Sequence, residues 1–190
     1  MSEGSSQLPA CGARPERRLT RLDSYDYANE GAYFVTICTA DRLCLFGEVV
    51  DGTMQPNDCG RAAADAWSAL PAHYPHVILH AFSLMPNHVH GVLLLGESAD
   101  GEPAGVQASR RRQGLPEIVR AFKSFSARDV NRIRQSPGEP VWQRSYYEHV
   151  IRREESMERI SQYVADNPMQ WMLDRENPEV RLASAVTRRG

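Results

Sequence analysis

No stretch of the 190 residues approaches the 18 consecutive apolar positions that a membrane-spanning helix needs. The opening MSEGSSQLPACGARPERR has no apolar segment of the secretory type, so a cytoplasmic location is the expectation. Cysteine is scarce. Cys11, Cys38, Cys44 and Cys59 follow one another at intervals of 27, 6 and 15, which match no common zinc motif and read as reduced thiols. Lysine is nearly missing: Lys123 stands alone against 21 arginines. No internal repeat is visible. An apolar fraction of 42% beside 24% charge excludes disorder of the whole chain. The length suits one domain with a real core and a small extension.

The net charge of −2 speaks against a nucleic-acid partner, but its distribution speaks for one. Residues 110–134 carry eight basic side chains and two acidic ones, and residues 14–21 four arginines and one glutamate. Residues 41–102 carry eight acids against two arginines. Clustered arginine suits phosphate contact through its planar fork. A solvated helix face is the plainer alternative for residues 116–134.

Residues 1–24 are polar and arginine-rich and read as an arm, 25–175 as the folded domain and 176–190 as a tail. AYFVTICT (32–39) is β-branched and aromatic, as strands are. CLFGEVV runs into Asp51-Gly52, a hairpin turn signal. Asn57 or Asp58 can cap a helix through Ala62, Ala66, Trp67 and Leu70. HVILHAFSLM (76–85) and HVHGVLLL (88–95) form a strand pair turning at Pro86-Asn87. Residues 96–114 make a loop of small and charged residues. Pro116 opens a helix whose apolar positions recur through Ile133. VWQRSYYEHVI (141–151) reads as another strand, and Glu154 and Glu155 open a last helix that Pro168 stops. Without the inserted hairpin the order is βαββαβ plus a C-terminal helix. The expected fold is therefore α+β, a ferredoxin-like or RRM-like sandwich with an antiparallel sheet.

Two short patterns carry chemistry. In His88-Val89-His90 the strand period of two sends both imidazoles to one face and Val89 to the other. Paired imidazoles make a natural pair of metal ligands; an accidental pair of surface histidines is the alternative. Tyr163 and Asn167, four apart on the last helix, share a face. They offer a phenolic oxygen and a neutral carbonyl. Equally, Tyr163 can belong to the apolar stripe with Ile160 and Asn167 can be a C-terminal cap.

The stretches YFVTICTADRLCLFG, PNHVHG, VWQRSYYEHVIRREESMERI and QYVADNPMQW together resemble the REP-associated tyrosine transposases, relatives of the single-tyrosine transposases of the HUH class. The resemblance spans about residues 14 to 175, and the four segments agree in order and spacing. It implies His88, His90 and Asn167 as ligands of one divalent cation, Mg2+ or Mn2+, and Tyr163 as the nucleophile on the catalytic C-terminal helix. It further implies single-stranded DNA with a hairpin as partner, a 5′-phosphotyrosine intermediate, and action as a monomer or homodimer. Imidazole by itself favours zinc or nickel, a tension with that ion. Arg14, Arg17, Arg18, Arg21, Arg110, Arg111, Arg112, Arg120, Lys123 and Arg144 are the expected DNA contacts. Trp142 and Tyr147 can stack on unpaired bases or pack in the core. A non-catalytic nucleic-acid-binding protein that keeps the fold is the competing class, and a water-using metallohydrolase a third.

Overall fold

The computed structural model describes residues 30–96, 113–174, 176–178 and 180. Strand β1 (Gly31–Cys38) is followed by a hairpin, β2 (Gly47–Val50) and β3 (Thr53–Pro56). Helix α1 (Asp58–Ser68), the single turn α2 (Leu70–His73), and strands β4 (Val77–Met85) and β5 (His88–Leu95) come next. Helix α3 (Leu115–Ile133), strand β6 (Tyr147–Ile151), helix α4 (Glu154–Asp166) and a 3-10 helix (Asn167–Leu173) complete the order. The main sheet runs β4-β5-β1-β6 with every neighbouring pair antiparallel, which is the ferredoxin-like arrangement the element order implies.

Local chemistry sets several boundaries where the sequence places them. Asp51 (φ 51°) and Gly52 (φ 72°) both take positive φ, as a two-residue hairpin turn demands. Asn57 caps α1 by accepting a hydrogen bond from the Gly60 amide at 2.9 Å. Pro116 lies in the first turn of α3, where its missing N–H costs nothing.

Alternation divides the sheet into two unlike faces. Tyr33, Val35, Ile37, Val89 and Leu93 point toward α1 and α3 and form the main core with Trp67, Ile118 and Phe122. Phe34 and Val92 point the other way and meet Val164 of α4 and Ile151 in a smaller cluster. The bare backbone of Gly91 lies under the Trp67 ring, which also stacks on Phe82 and meets Phe122 edge-on, each at 5.3 Å.

One expectation needs correction. The strand expected over 141–151 begins only at Tyr147. Trp142 keeps one isolated bridge to Thr39 and turns into the core, where its indole N–H donates to Ser126 Oγ at 2.9 Å. The carbonyls of Gln143, Arg144 and Ser145 accept from the Lys123 ammonium at 3.0, 3.4 and 3.2 Å, so a side chain of α3 takes the place of a strand neighbour. α4 ends at Asp166, just ahead of Pro168, as expected. The proline falls in the first turn of the 3-10 helix that continues from α4, a position its fixed φ suits.

Gly91→Ala would drive a methyl group into the buried Trp67 ring. Such overpacking is expected to cost about 1–3 kcal/mol; urea unfolding of the variant beside the parent chain measures it.

Candidate functional site

β5 places His88 and His90 on the α4 face of the sheet, and both rings are buried, 0% and 4% exposed. Their Nε2 atoms lie 3.0 Å apart. Each ring is fixed from behind. His88 Nδ1 lies 2.9 Å from Asn87 Oδ1 and His90 Nδ1 lies 2.8 Å from Thr36 Oγ1, its register partner on β1. The Asn87 side chain also donates to the carbonyls of Arg42 (3.1 Å) and Glu176 (2.8 Å). Its amide N–H bonds are thus committed, so its oxygen faces the ring and accepts from His88 Nδ1–H. That tautomer leaves the lone pair on His88 Nε2, pointed at His90.

Burial holds both imidazoles neutral. His88 is pushed well below the usual histidine range, by desolvation first, then by His90 and the Arg42 guanidinium. Desolvation takes His90 down to about 4. Neutral rings offer lone pairs to a cation at physiological pH.

Tyr163 sits beside this pair. Its ring centroid is 5.5 Å from that of His90 and 6.2 Å from Phe34, both edge-on, while 44% of the residue is exposed. One turn further on, Asn167 is 2% exposed, and its Oδ1 has no hydrogen-bond partner among the described residues. Four residues beyond that, the Trp171 ring lies 6.1 Å from His88. Asn167 is midway along the chain between the two side chains that flank the imidazoles.

One member of the cluster gave no signal in the sequence. Asp174 Oδ2 is 3.7 Å from His88 Nε2, and the ligand atoms of His88, His90 and Asp174 all fall within 4.8 Å of one another. The contact joins residues 86 apart across a turn with no motif of its own. Asn87 was legible in PNHVHG as a turn residue but not as the partner of His88.

Among the described residues, the expected DNA contacts do not converge on the site. Arg14, Arg17, Arg18, Arg21 and Arg110–Arg112 lie outside the described residues. Arg120 is exposed on α3, across the sheet from the histidines, and Arg144 is exposed ahead of β6. Lys123 is turned inward onto the three carbonyls and the Tyr146 ring, with burial lowering it to about 8. Trp142 is core, whereas Tyr147 is half-exposed and edges against Phe34 on the face that holds Tyr163. No helix among the described residues is long and apolar enough to cross a membrane.

No family model matches the chain. An uncharacterized protein of Haemophilus influenzae is 37% identical over 166 residues, covering 83% of this chain and 91% of that protein. A second protein of the same organism, whose name places it among the REP-associated tyrosine transposases, is 28% identical over 144 residues, covering 76% and 73%. Among solved structures, a REP-associated tyrosine transposase bound to a REP hairpin superposes with a TM-score of 0.52 at 17% identity, covering 77% of this chain and 71% of that one. This last likeness is one of fold.

The depressed histidines tie stability to pH. In the unfolded chain they take up protons near 6.5; in the folded chain His90 does so only near 4, and His88 is held well below its usual range. The metal-free protein should hold its full histidine-linked stability above about pH 7 and lose it as pH falls from about 6.5 toward 4. Thermal midpoints taken in chelator across that window measure the loss. A His88→Gln, His90→Gln double variant should show a shallower decline.

Proposed function

We propose that this chain, which is similar to a protein named among the REP-associated tyrosine transposases, cuts and rejoins single-stranded, hairpin-forming DNA through a 5′-phosphotyrosine. One observation carries this reading: a half-exposed phenol stands edge-on to the second of two buried, neutral imidazoles whose free nitrogens converge.

The residues fit a divalent cation. If Asn87 and Thr36 accept from the two Nδ1–H groups, both Nε2 lone pairs face each other at 3.0 Å, a repulsive contact unless a positive charge lies between them. Two ligands at about 2.1 Å and a right angle lie about 3.0 Å apart, close to this spacing. The unpartnered Oδ1 of Asn167 supplies a third donor. When bound, Mg2+ or Mn2+ would withdraw charge from the scissile phosphate and orient it.

The chain's own residues supply the rest. Free tyrosine is phenolate to about one part in a thousand at pH 7, so a phosphate made more electrophilic matters more here than for a stronger nucleophile. Phe34 and His90 hold the Tyr163 ring from one side while its exposed part meets the strand. The Tyr163 oxygen attacks phosphorus, the O3′–P bond breaks, and the departing oxygen leaves as a 3′-OH. The phosphodiester's energy stays in the O–P bond to Tyr163, and a 3′-OH attacking that bond restores the phenol. Tyr163, His88 and His90 of one chain are adjacent, which favours a tyrosine supplied by the same chain that holds the histidines. Arg120, Arg144 and the basic stretches at 14–21 and 110–112 would neutralise phosphates of the hairpin and its flanks. Lys123, bound to carbonyls, contributes by shaping residues 143–145 instead.

Tyr163→Phe is expected to abolish the covalent protein–DNA adduct on denaturing gels while leaving gel-shift affinity for a hairpin oligonucleotide unchanged within about threefold. An adduct that persists would remove Tyr163 from the reaction. His88→Ala or His90→Ala should eliminate cleavage that depends on added Mg2+ or Mn2+, and undiminished cleavage would break the ligand assignment.

A further inference from the structure

We propose that Asp174 is an anionic oxygen ligand of the cation held by His88 and His90, and that it tilts the site toward Mn2+ and Mg2+ over zinc. The inference rests on the metal-site reading above and adds to it a donor from the segment after the 3-10 helix.

Three observations place the carboxylate. First, one ion with ligands at about 2.1 Å can join atoms up to about 4.2 Å apart. The His88–His90 pair at 3.0 Å and the His88–Asp174 pair at 3.7 Å already meet that limit. The remaining pair lies within 4.8 Å, close enough for a side-chain rotation to complete the set.

Second, the carboxylate is divided between two tasks. Asp174 Oδ1 accepts from the Glu176 amide at 2.8 Å, which closes the turn, and Oδ2 is the oxygen that faces His88. The backbone around it is also closed: the Asp174 amide donates to the Trp171 carbonyl at 3.1 Å, and the Asn177 amide donates to the Asp174 carbonyl at 3.0 Å. The turn that presents the carboxylate is thus closed by its own hydrogen bonds.

Third, the same segment is tied to the histidine through a separate route. The Glu176 carbonyl accepts from Asn87 Nδ2, and Asn87 Oδ1 accepts from His88 Nδ1. The Glu176 carboxylate pairs with Arg42. Asn87 therefore fixes both a ligand ring and the turn that presents Asp174, in the manner of an outer partner that orients two inner ones.

The chemistry follows from donor type. Two imidazoles alone suit zinc or nickel, whereas carboxylate, carbonyl and water suit magnesium and manganese. Asp174 adds a carboxylate oxygen to the two imidazole nitrogens and brings its single negative charge.

Asp174→Asn tests this with a readout independent of DNA cleavage. The amide oxygen can still accept from the Glu176 amide, so the turn survives while the charge is lost. Titration calorimetry of the full chain with Mn2+ and, separately, Zn2+ is expected to show Mn2+ affinity falling roughly tenfold or more, since even outer partners of ligands are worth 10–100-fold. Zn2+ affinity should fall less, and Asp174→Glu should restore most of the Mn2+ binding. Equal Mn2+ affinity in parent and Asp174→Asn, with His88→Ala abolishing binding, would overturn the role of Asp174 and keep the histidine site. Absence of Mn2+ binding by the parent chain would overturn both.

Discussion

Two imidazole nitrogens 3.0 Å apart, on rings that are both buried, are reconciled by a hydrogen bond between complementary tautomers, by an added proton or by a cation in its place. Protonation is the expensive answer here, because burial depresses both rings. The rest of the α4 face is arranged around that pair. Thr36 and Asn87 stand behind the rings, Tyr163 and Trp171 flank them, and Asp174 closes the lower edge. A strand is the element that can hold two such rings side by side, since its period of two aligns neighbouring side chains while the intervening residue anchors in the opposite layer. Val89 does so, at 0% exposure in the main core.

The division of labour between the two sheet faces follows from that anchoring. The α1/α3 face is dry and crowded, with Trp67 laid directly on Gly91. The α4 face carries a four-residue apolar cluster and then turns polar. Rigidity on one face keeps the histidine spacing on the other, because a shift of β5 to relieve crowding would move the rings as well.

Local signals were the legible ones. The Asp51-Gly52 turn, the Asn57 cap, Pro116 and the alternation of 88–95 each depend on a few adjacent residues, and the chain follows them. The pairing of His88 with His90 and the shared helix face of Tyr163 and Asn167 belong to the same class. What stayed hidden was tertiary. VWQRSY has strand composition, but its carbonyls are captured by Lys123 and its indole by Ser126, about 20 and 16 residues upstream. Asp174 reads as one acid among many in DRENPE. Only the fold back onto Asn87 and His88 distinguishes it.

Asn87 makes the order of events at this centre a matter of folding. Its single amide group bridges the stretch at Arg42, the turn at Glu176 and the ring of His88. The rotational freedom of that imidazole is surrendered when the polypeptide first becomes native, so an ion bound at the proposed site would meet that ring already in its final pose. Capture of the ion would then proceed without waiting for the chain to rearrange, and release would be governed by bond breaking at the donors.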